Sequence, residues 1–262
     1  MERLTGKAIV VAGGGFIGSE LARRYAREGA SVVLGDLDLD GARSVAAEIV
    51  AAGGNAIGVR LDGADEHSIA EAIALCAATY GGLDGLHANF ASFVDNGDDV
   101  GVTELPLEAF DETMRVNVRG YFLCTRLAVP ALIARGGGAV LFTSSAAAYR
   151  AEPTRVAYAM SKEACHALMR HVAVRYGKNG VRANCIAPGI VMQTLGPDAV
   201  THPQMGPLQP EFLEWCFAFQ QNKQRVGAPA DIASVGALLM SDEGSFITGQ
   251  IINVDGGGTM RP

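Results

Sequence analysis

The stretch Val10–Glu20 reads VVAGGGFIGSE, and its glycines at Gly13, Gly15 and Gly18 spell G-x-G-x-x-G. Glycine supplies 33 of the 262 residues, so the spacing arises easily by chance and its surroundings have to decide. Before it runs KAIVVA from Lys7, a short β-branched run. After it runs IGSELARRYAREGA, in which Ile17, Leu21, Tyr25 and Ala26 share one helical face while Arg23, Arg24 and Arg27 take the wet side. A glycine loop between a strand and a helix start puts free backbone N–H groups where a bound pyrophosphate would meet them. There Gly13 permits the turn, Gly15 lets phosphate approach the main chain and Gly18 allows close helix packing. Phe16 and Ile17 belong to the same candidate cofactor-binding loop.

The same alternation continues along the chain. Further strand candidates are SVVLG from Ser31, AIGVR from Ala56, LDGLHAN from Leu83, AVLFTS from Ala139, VRANCIA from Val181 and QIINVD from Gln250, with helical stretches between them. Seven buried strands between covering helices predict an α/β fold: a Rossmann-type, doubly wound, seven-stranded parallel sheet with helices on both faces. No linker, low-complexity tract or repeat interrupts residues 1–262, which read as one domain.

Composition narrows the function classes. A chain with 49% hydrophobic and 19% charged residues can bury one large core. No apolar run approaches the ~18 residues of a membrane span, and the amino terminus lacks a secretory layout, so a cytoplasmic protein is expected. The 21 Lys and Arg fall short of the 28 Asp and Glu, giving −7 with no basic run, which argues against nucleic acid as a partner. The cysteines (Cys76, Cys124, Cys165, Cys185, Cys216) are scattered and read as buried thiols.

Two further features carry chemistry. Asp36 stands at the end of the second strand, 18 residues beyond Gly18, with Leu37 beside it. A carboxylate there can accept both ribose hydroxyls of the adenosine half and repels a 2′-phosphate, favouring NAD over NADP. The plain alternative is a solvated turn and helix cap formed by Asp36, Asp38 and Asp40. YAMSK then sets Tyr158 and Lys162 four residues apart on one helical face. An adjacent ammonium favours the phenolate, and the pair can do acid–base work.

With these residues in place the chain resembles a short-chain dehydrogenase/reductase over essentially its whole length. FTSS ends the fifth strand with Ser145 thirteen residues before Tyr158, RVNVRG carries Asn117, HANFA corresponds to the family's N-N-A-G with Asn89 retained, and IAPGIV carries the P-G motif. The carboxyl-terminal GAPADIASVGALLMSDEGSFITGQIINVDGG is also similar. The resemblance implies that Tyr158 exchanges a proton with the substrate oxygen while nicotinamide exchanges hydride with the same carbon. It implies that Lys162 lowers the tyrosine pKa and holds the nicotinamide ribose, that Ser145 hydrogen-bonds the substrate oxygen, and that Asn117, through its carbonyl and a water, links Lys162 to solvent. It also implies cofactor contacts at Asp62, Gly63, Asn89, Pro188, Gly189 and Val191, and pairing into a homodimer or homotetramer through the long helices after the fourth and fifth strands.

The chain departs from the family pattern in three places. The glycine loop is one residue shorter than T-G-x-x-x-G-x-G, with Ala12 for the threonine; Gln193 stands where a threonine often follows the P-G proline; and Phe90 and Ala91 lie beside the expected cofactor channel. The segment of about residues 190–226 corresponds to the family's substrate lid. In it Leu208, Phe212, Trp215 and Phe219 form an apolar stripe that either covers a hydrophobic substrate or packs on the protein or a neighbour. Phe93 and Tyr149 are candidate pocket walls. His166 and His171 are five apart, and His67, His87 and His202 have no partner at ligand spacing, so no metal is expected. The favoured reading is an NAD-dependent enzyme interconverting a secondary alcohol and a ketone. An NAD-binding sensor or scaffold, or an epimerase- or dehydratase-like member, are the alternatives.

Overall fold

The computed structural model describes residues 2–93, 101–150, 154–194, 200–202, 206–207, 214, 218, 220–222 and 225–260. Seven parallel strands form the main sheet: β1 (Ala8–Ala12), β2 (Ser31–Asp36), β3 (Asn55–Arg60), β4 (Gly85–Ala88), β5 (Gly138–Thr143), β6 (Val181–Pro188) and β10 (Ile251–Val254). Their order is β10-β6-β5-β4-β1-β2-β3. All seven lie where the sequence places strands. β1 and β4 are buried along their whole lengths, as strands covered on both faces must be.

Alternation along β1 divides the core in two. Val10 joins Val33, Leu86, Phe142 and Met169 on one face, under helices α3 (Glu66–Tyr80), α5 (Gly120–Arg135) and α6 (Val156–Tyr176). Ile9 and Val11 join Leu21, Tyr25, Val32, Leu141 and Ile232 on the other, under α1 (Phe16–Arg27), α2 (Leu39–Ala51) and α7 (Pro229–Met240). Local signals set the helix ends. Asp38 accepts from Gly41 N–H at 3.0 Å to start α2, and left-handed Gly81 and Gly136 close α3 and α5.

Before α5, a short helix α4 (Leu107–Thr113) runs into a π-helical turn, Met114–Arg119, that carries Asn117. The segment following β6 departs from expectation: its described backbone forms a small antiparallel sheet of β7 (Gln193–Thr194), β8 (Val200–His202) and β9 (Gly206–Pro207). These short strands carry no clear period in the sequence, and the sequence places no element at residues 193–207. The stripe Leu208, Phe212, Trp215 and Phe219 lies outside the described residues.

One packing feature joins the exits of β3 and β4 to α5. The Phe90 ring turns inward and meets Tyr121 edge-to-face, centroids 5.1 Å apart. It fits because Gly63 and Gly120 have no side chains: a Cβ on Gly63 would stand 2.5 Å from the ring, and one on Gly120 would stand 2.4 Å from the Gly63 carbonyl oxygen. Neither the ring nor the backbone there has room to give. Gly120→Ala is therefore expected to lower stability by about 2 kcal/mol, measured by urea unfolding; a change below ~0.5 kcal/mol would contradict this packing.

Candidate active site

Parallel strands deliver their carboxyl ends to one edge, and every candidate residue carried by a strand exit is found there. Gly13, Gly15 and Gly18 follow β1, Asp36 ends β2, Asp62 and Gly63 follow β3, Asn89 follows β4, Ser145 follows β5, and Pro188 ends β6. β1 pairs with β2 on one side and β4 on the other, so the chain reverses its winding between β1 and β4. The crevice at that reversal is where open α/β sheets bind ligands.

The loop Gly13–Gly15 is held from both sides. Gly13 adopts φ +103° and donates its N–H to Gly35 O at 2.8 Å. Its carbonyl accepts from Asn89 Nδ2 at 2.9 Å. Gly14 N–H donates to Asp36 Oδ2 at 2.6 Å, and Asp38 N–H donates to Asp36 Oδ1 at 2.9 Å. Asp36 therefore belongs to the glycine loop, while the helix-cap role falls to Asp38. A Cβ on Gly18 would lie 1.8 Å from Gly13 O, so the first helix turn can close on the loop only with glycine there. Gly15 is exposed, and apart from its own chain neighbours no atom lies within 4 Å of the position its Cβ would take. Open space over a helix N-terminus, flanked by a carboxylate, is a cradle that fits a dinucleotide. Phe16 and Ile17 open α1 half-buried, and Leu37 is exposed next to Asp36. Asp62 Oδ1 accepts from Ala64 N–H at 2.9 Å.

α6 presents Tyr158 and Lys162 one turn apart. Both are buried, and Lys162 Nζ stands 5.6 Å from the Tyr158 ring centroid and 5.1 Å from that of Tyr121. Nζ donates to Thr143 O at 2.9 Å and to Tyr121 Oη at 3.3 Å. Burial lowers its pKa to about 8. Phe93 stacks on Tyr158 at 5.3 Å, a place consistent with a pocket wall. Asn117 joins the group through its side chain: Oδ1 accepts from Ser92 N–H at 2.7 Å, and Nδ2 donates to Ser161 Oγ at 3.1 Å. Ser161 Oγ in turn donates to Tyr158 O at 2.7 Å, so Asn117 ties the exit of β4 to the Tyr158 turn. Ser145 caps a 3-10 turn, accepting from Ala147 N–H at 3.1 Å. Pro188 pairs with Val254, Gly189 packs against Asp255, and Val191 is buried in a bridge to Gly227.

Sequence reasoning missed three features. Arg155, at the N-cap of α6, has φ +62° and holds its guanidinium 5.6 Å from the Tyr158 ring centroid, adding a second cation beside the phenol. His166 is buried, with Nε2 2.6 Å from Ser144 Oγ, Nδ1 2.8 Å from Glu163 Oε2 and its ring stacked on Tyr149. The neighbours Cys165 and His166 on α6 meet Cys185 of β6, the three bringing their ligand atoms within 4.8 Å of one another, a grouping that histidine spacing could not reveal. Both His166 nitrogens already have these protein partners.

The buried ammonium has a measurable consequence. Because the folded pKa of Lys162 (about 8) lies below the free value of 10.5, the unfolded chain binds the extra proton between those pH values, and stability rises with pH across that window. Below pH 8 the folded protein carries the desolvation cost, at most about 3 kcal/mol. Lys162→Met is expected to gain stability over wild type at pH 7, with the gap shrinking from pH 8 to 10. A pH-independent gap in urea unfolding would refute the assignment.

Comparison with known proteins agrees with this architecture. Residues 11–259 match a family model described as enoyl-(acyl carrier protein) reductase. A probable short-chain type dehydrogenase/reductase of Bradyrhizobium diazoefficiens is 36% identical over 263 residues, covering 98% of this chain and 89% of the relative. The dehydrogenase LinX of Sphingobium indicum, named for 2,5-dichloro-2,5-cyclohexadiene-1,4-diol, is 34% identical over 261 residues, covering 98% and 97%. Among solved structures, 7α-hydroxysteroid dehydrogenase complexed with NADH and 7-oxo glycochenodeoxycholic acid superposes with TM-score 0.86 at 31% identity, over 99% of this chain and 96% of that one. A chain with this sheet order, this strand-end site and these relatives belongs to the short-chain dehydrogenase/reductase family.

Proposed function

We propose that the protein is an NAD(H)-dependent oxidoreductase that interconverts a secondary alcohol and a ketone on a hydrophobic or ring-containing substrate. The observation that carries the proposal is the buried Lys162 ammonium 5.6 Å from the Tyr158 ring, at the same sheet edge as a glycine loop held by Asp36. The dehydrogenases named above for a chlorinated cyclohexadienediol and a hydroxysteroid act on ring compounds, which supports the substrate class.

Nicotinamide, when bound, supplies or accepts the hydride. Gly15 and the start of α1 would receive the pyrophosphate, and Asp36 the adenosine ribose, with Leu37, Asp62, Gly63 and Asn89 around the adenosine half and Pro188, Gly189 and Val191 toward the nicotinamide. Tyr158 donates or removes the proton on the substrate oxygen. The cation beside it favours the charge that forms on the phenol oxygen as the proton leaves. Ser145 donates a hydrogen bond to the same oxygen as charge develops. Asn117 holds the Tyr158 turn in register, and Lys162 would hold the nicotinamide ribose. Residues of about 190–226 would close over the substrate, with Phe93, stacked on Tyr158, as a wall of the pocket.

Two broader features complete the proposal. Phe122 on α5 and Met160 and Val174 on α6 are exposed apolar side chains on the helices through which we infer a homodimer or homotetramer. No helix among the described residues is long and apolar enough to cross a membrane, in keeping with a cytoplasmic enzyme.

Titration by protein fluorescence tests the cofactor assignment. Asp36→Asn keeps an acceptor for Gly14 N–H but removes the charge, and is expected to narrow the preference for NADH over NADPH by about tenfold, roughly one charge-assisted hydrogen bond. Tyr158→Phe is expected to lower turnover of a cyclic secondary alcohol, followed at the NADH absorbance, by at least about 100-fold. Binding of neither nucleotide, or full activity in Tyr158→Phe, would overturn the proposal.

A further inference from the structure

A line of polar side chains crosses the apolar interior and ends on the glycine loop. Tyr25 Oη lies 2.8 Å from His87 Nδ1, His87 Nε2 lies 3.0 Å from Thr143 Oγ1, Thr143 Oγ1 lies 2.8 Å from Asn89 Oδ1, and Asn89 Nδ2 lies 2.9 Å from Gly13 O. Tyr25 and His87 are wholly buried and Thr143 nearly so. The line thus runs from α1 through β4 and β5 back to the loop that follows β1.

Its proton order is determined by the end group. A carbonyl oxygen can only accept, so the Asn89 amide nitrogen must face Gly13 and its oxygen must face Thr143. That oxygen needs a donor, which fixes the Thr143 hydroxyl proton toward Asn89. The Thr143 oxygen then accepts from His87, which places the ring proton on Nε2. Burial lowers the His87 pKa to about 3, so the ring carries a single proton and Nδ1 accepts from the Tyr25 hydroxyl. Each group donates once, all toward the loop. Gly236 leaves the space for this arrangement, since a Cβ there would stand 2.5 Å from Tyr25 Oη.

We infer that His87 is a positioning residue for the nucleotide-binding loop, acting through Thr143 and Asn89 to fix the direction of the Gly13 carbonyl. That carbonyl faces the Asn89 amide on one side and Gly18 on the other, where a Cβ would come within 1.8 Å. A rotation at Gly13, which is free to rotate for want of a side chain, would move Gly14 and Gly15 with it. A loop one residue shorter than the family pattern has less backbone to spare for its own hydrogen bonds, and the buried line supplies the restraint from outside. The consequence for nucleotide affinity rests on the NAD-binding reading above, whereas the consequence for loop order does not.

Two readouts separate these parts: amide hydrogen exchange of the peptide spanning residues 10–20, by mass spectrometry, and NADH titration by protein fluorescence. Thr143→Val, nearly isosteric, and His87→Leu each break the line. Each is expected to speed exchange of that peptide about tenfold, leave the other strands unchanged and weaken NADH binding about tenfold, as loss of one net hydrogen bond implies. The double variant should add nothing, because both remove one line. His87→Gln, whose amide nitrogen reaches the same Thr143 oxygen, should return both readouts to within about threefold of wild type. Unchanged exchange in Thr143→Val, a rise spread evenly over the sheet, or no rescue by His87→Gln would overturn the inference, and Thr143→Val decides it if His87→Leu does not fold. If the wild type binds no NADH, the cofactor reading fails alone and exchange still decides the role of His87.

Discussion

A lysine ammonium in the protein interior needs partners on every side, and Lys162 organises much of the site through that need. Thr143 O accepts a hydrogen bond from it directly, and the Tyr121 hydroxyl accepts another while donating its own to the same carbonyl at 3.0 Å. The faces of Tyr121 and Tyr158 present negative potential to the charge. Tyr121 must therefore stand where it does, stacked on Phe142 and met edge-on by Phe90. Phe90 in turn requires Gly63 and Gly120. The glycines beneath the nucleotide side and the cation beneath the phenol are thus two ends of one packing arrangement. In the proposed mechanism the cost of burying the charge would serve the phenol, since a solvated ammonium would bias it less strongly.

Topology explains why so few residues suffice. Parallel strands present their carboxyl ends together, so one residue per strand exit assembles a site without a dedicated scaffold. The winding reverses between β1 and β4, and the two exits at that reversal carry the glycine loop and Asn89, joined by the bond from Asn89 Nδ2 to Gly13 O. Thr143 at the end of β5 works in both directions: its carbonyl holds Lys162, and its hydroxyl belongs to the line that reaches Gly13. The nucleotide side and the acid–base side therefore share a single residue on a central strand.

The sequence made legible what depends on local pattern. Seven strands were readable because each is a short run set between helical stretches, most of them β-branched, and α1 because Leu21, Tyr25 and Ala26 recur at helical spacing and are buried as predicted. Tyr158, Lys162 and the glycine loop were readable because their spacing is itself the chemistry. Features made by long-range contact were not. His87 looked like a histidine without a partner because its partners, Tyr25 and Thr143, lie 62 and 56 residues away. Cys165 and Cys185 looked scattered for the same reason. Arg155 gave no sign of its left-handed backbone, since nothing in an arginine prefers it. The small β7–β9 sheet escaped because strands of two or three residues are too short to show a period.

The shortened loop raises a question of acceptor capacity at Asp36. Its two oxygens already take the Gly14 and Asp38 N–H groups, at 2.6 and 2.9 Å. A carboxylate offers about four acceptor directions, so about two remain, the number that a ribose diol needs. The two bonds already made fix the carboxylate against β2 and the loop, so it meets a ligand without first losing rotational freedom. A phosphate on the same ribose would bring negative charge against a carboxylate that cannot turn away. With Asp36 in its proposed role, discrimination between the two nicotinamide nucleotides would follow from the rigidity of its carboxylate as much as from its charge, and that rigidity comes from the same loop geometry that the glycines allow.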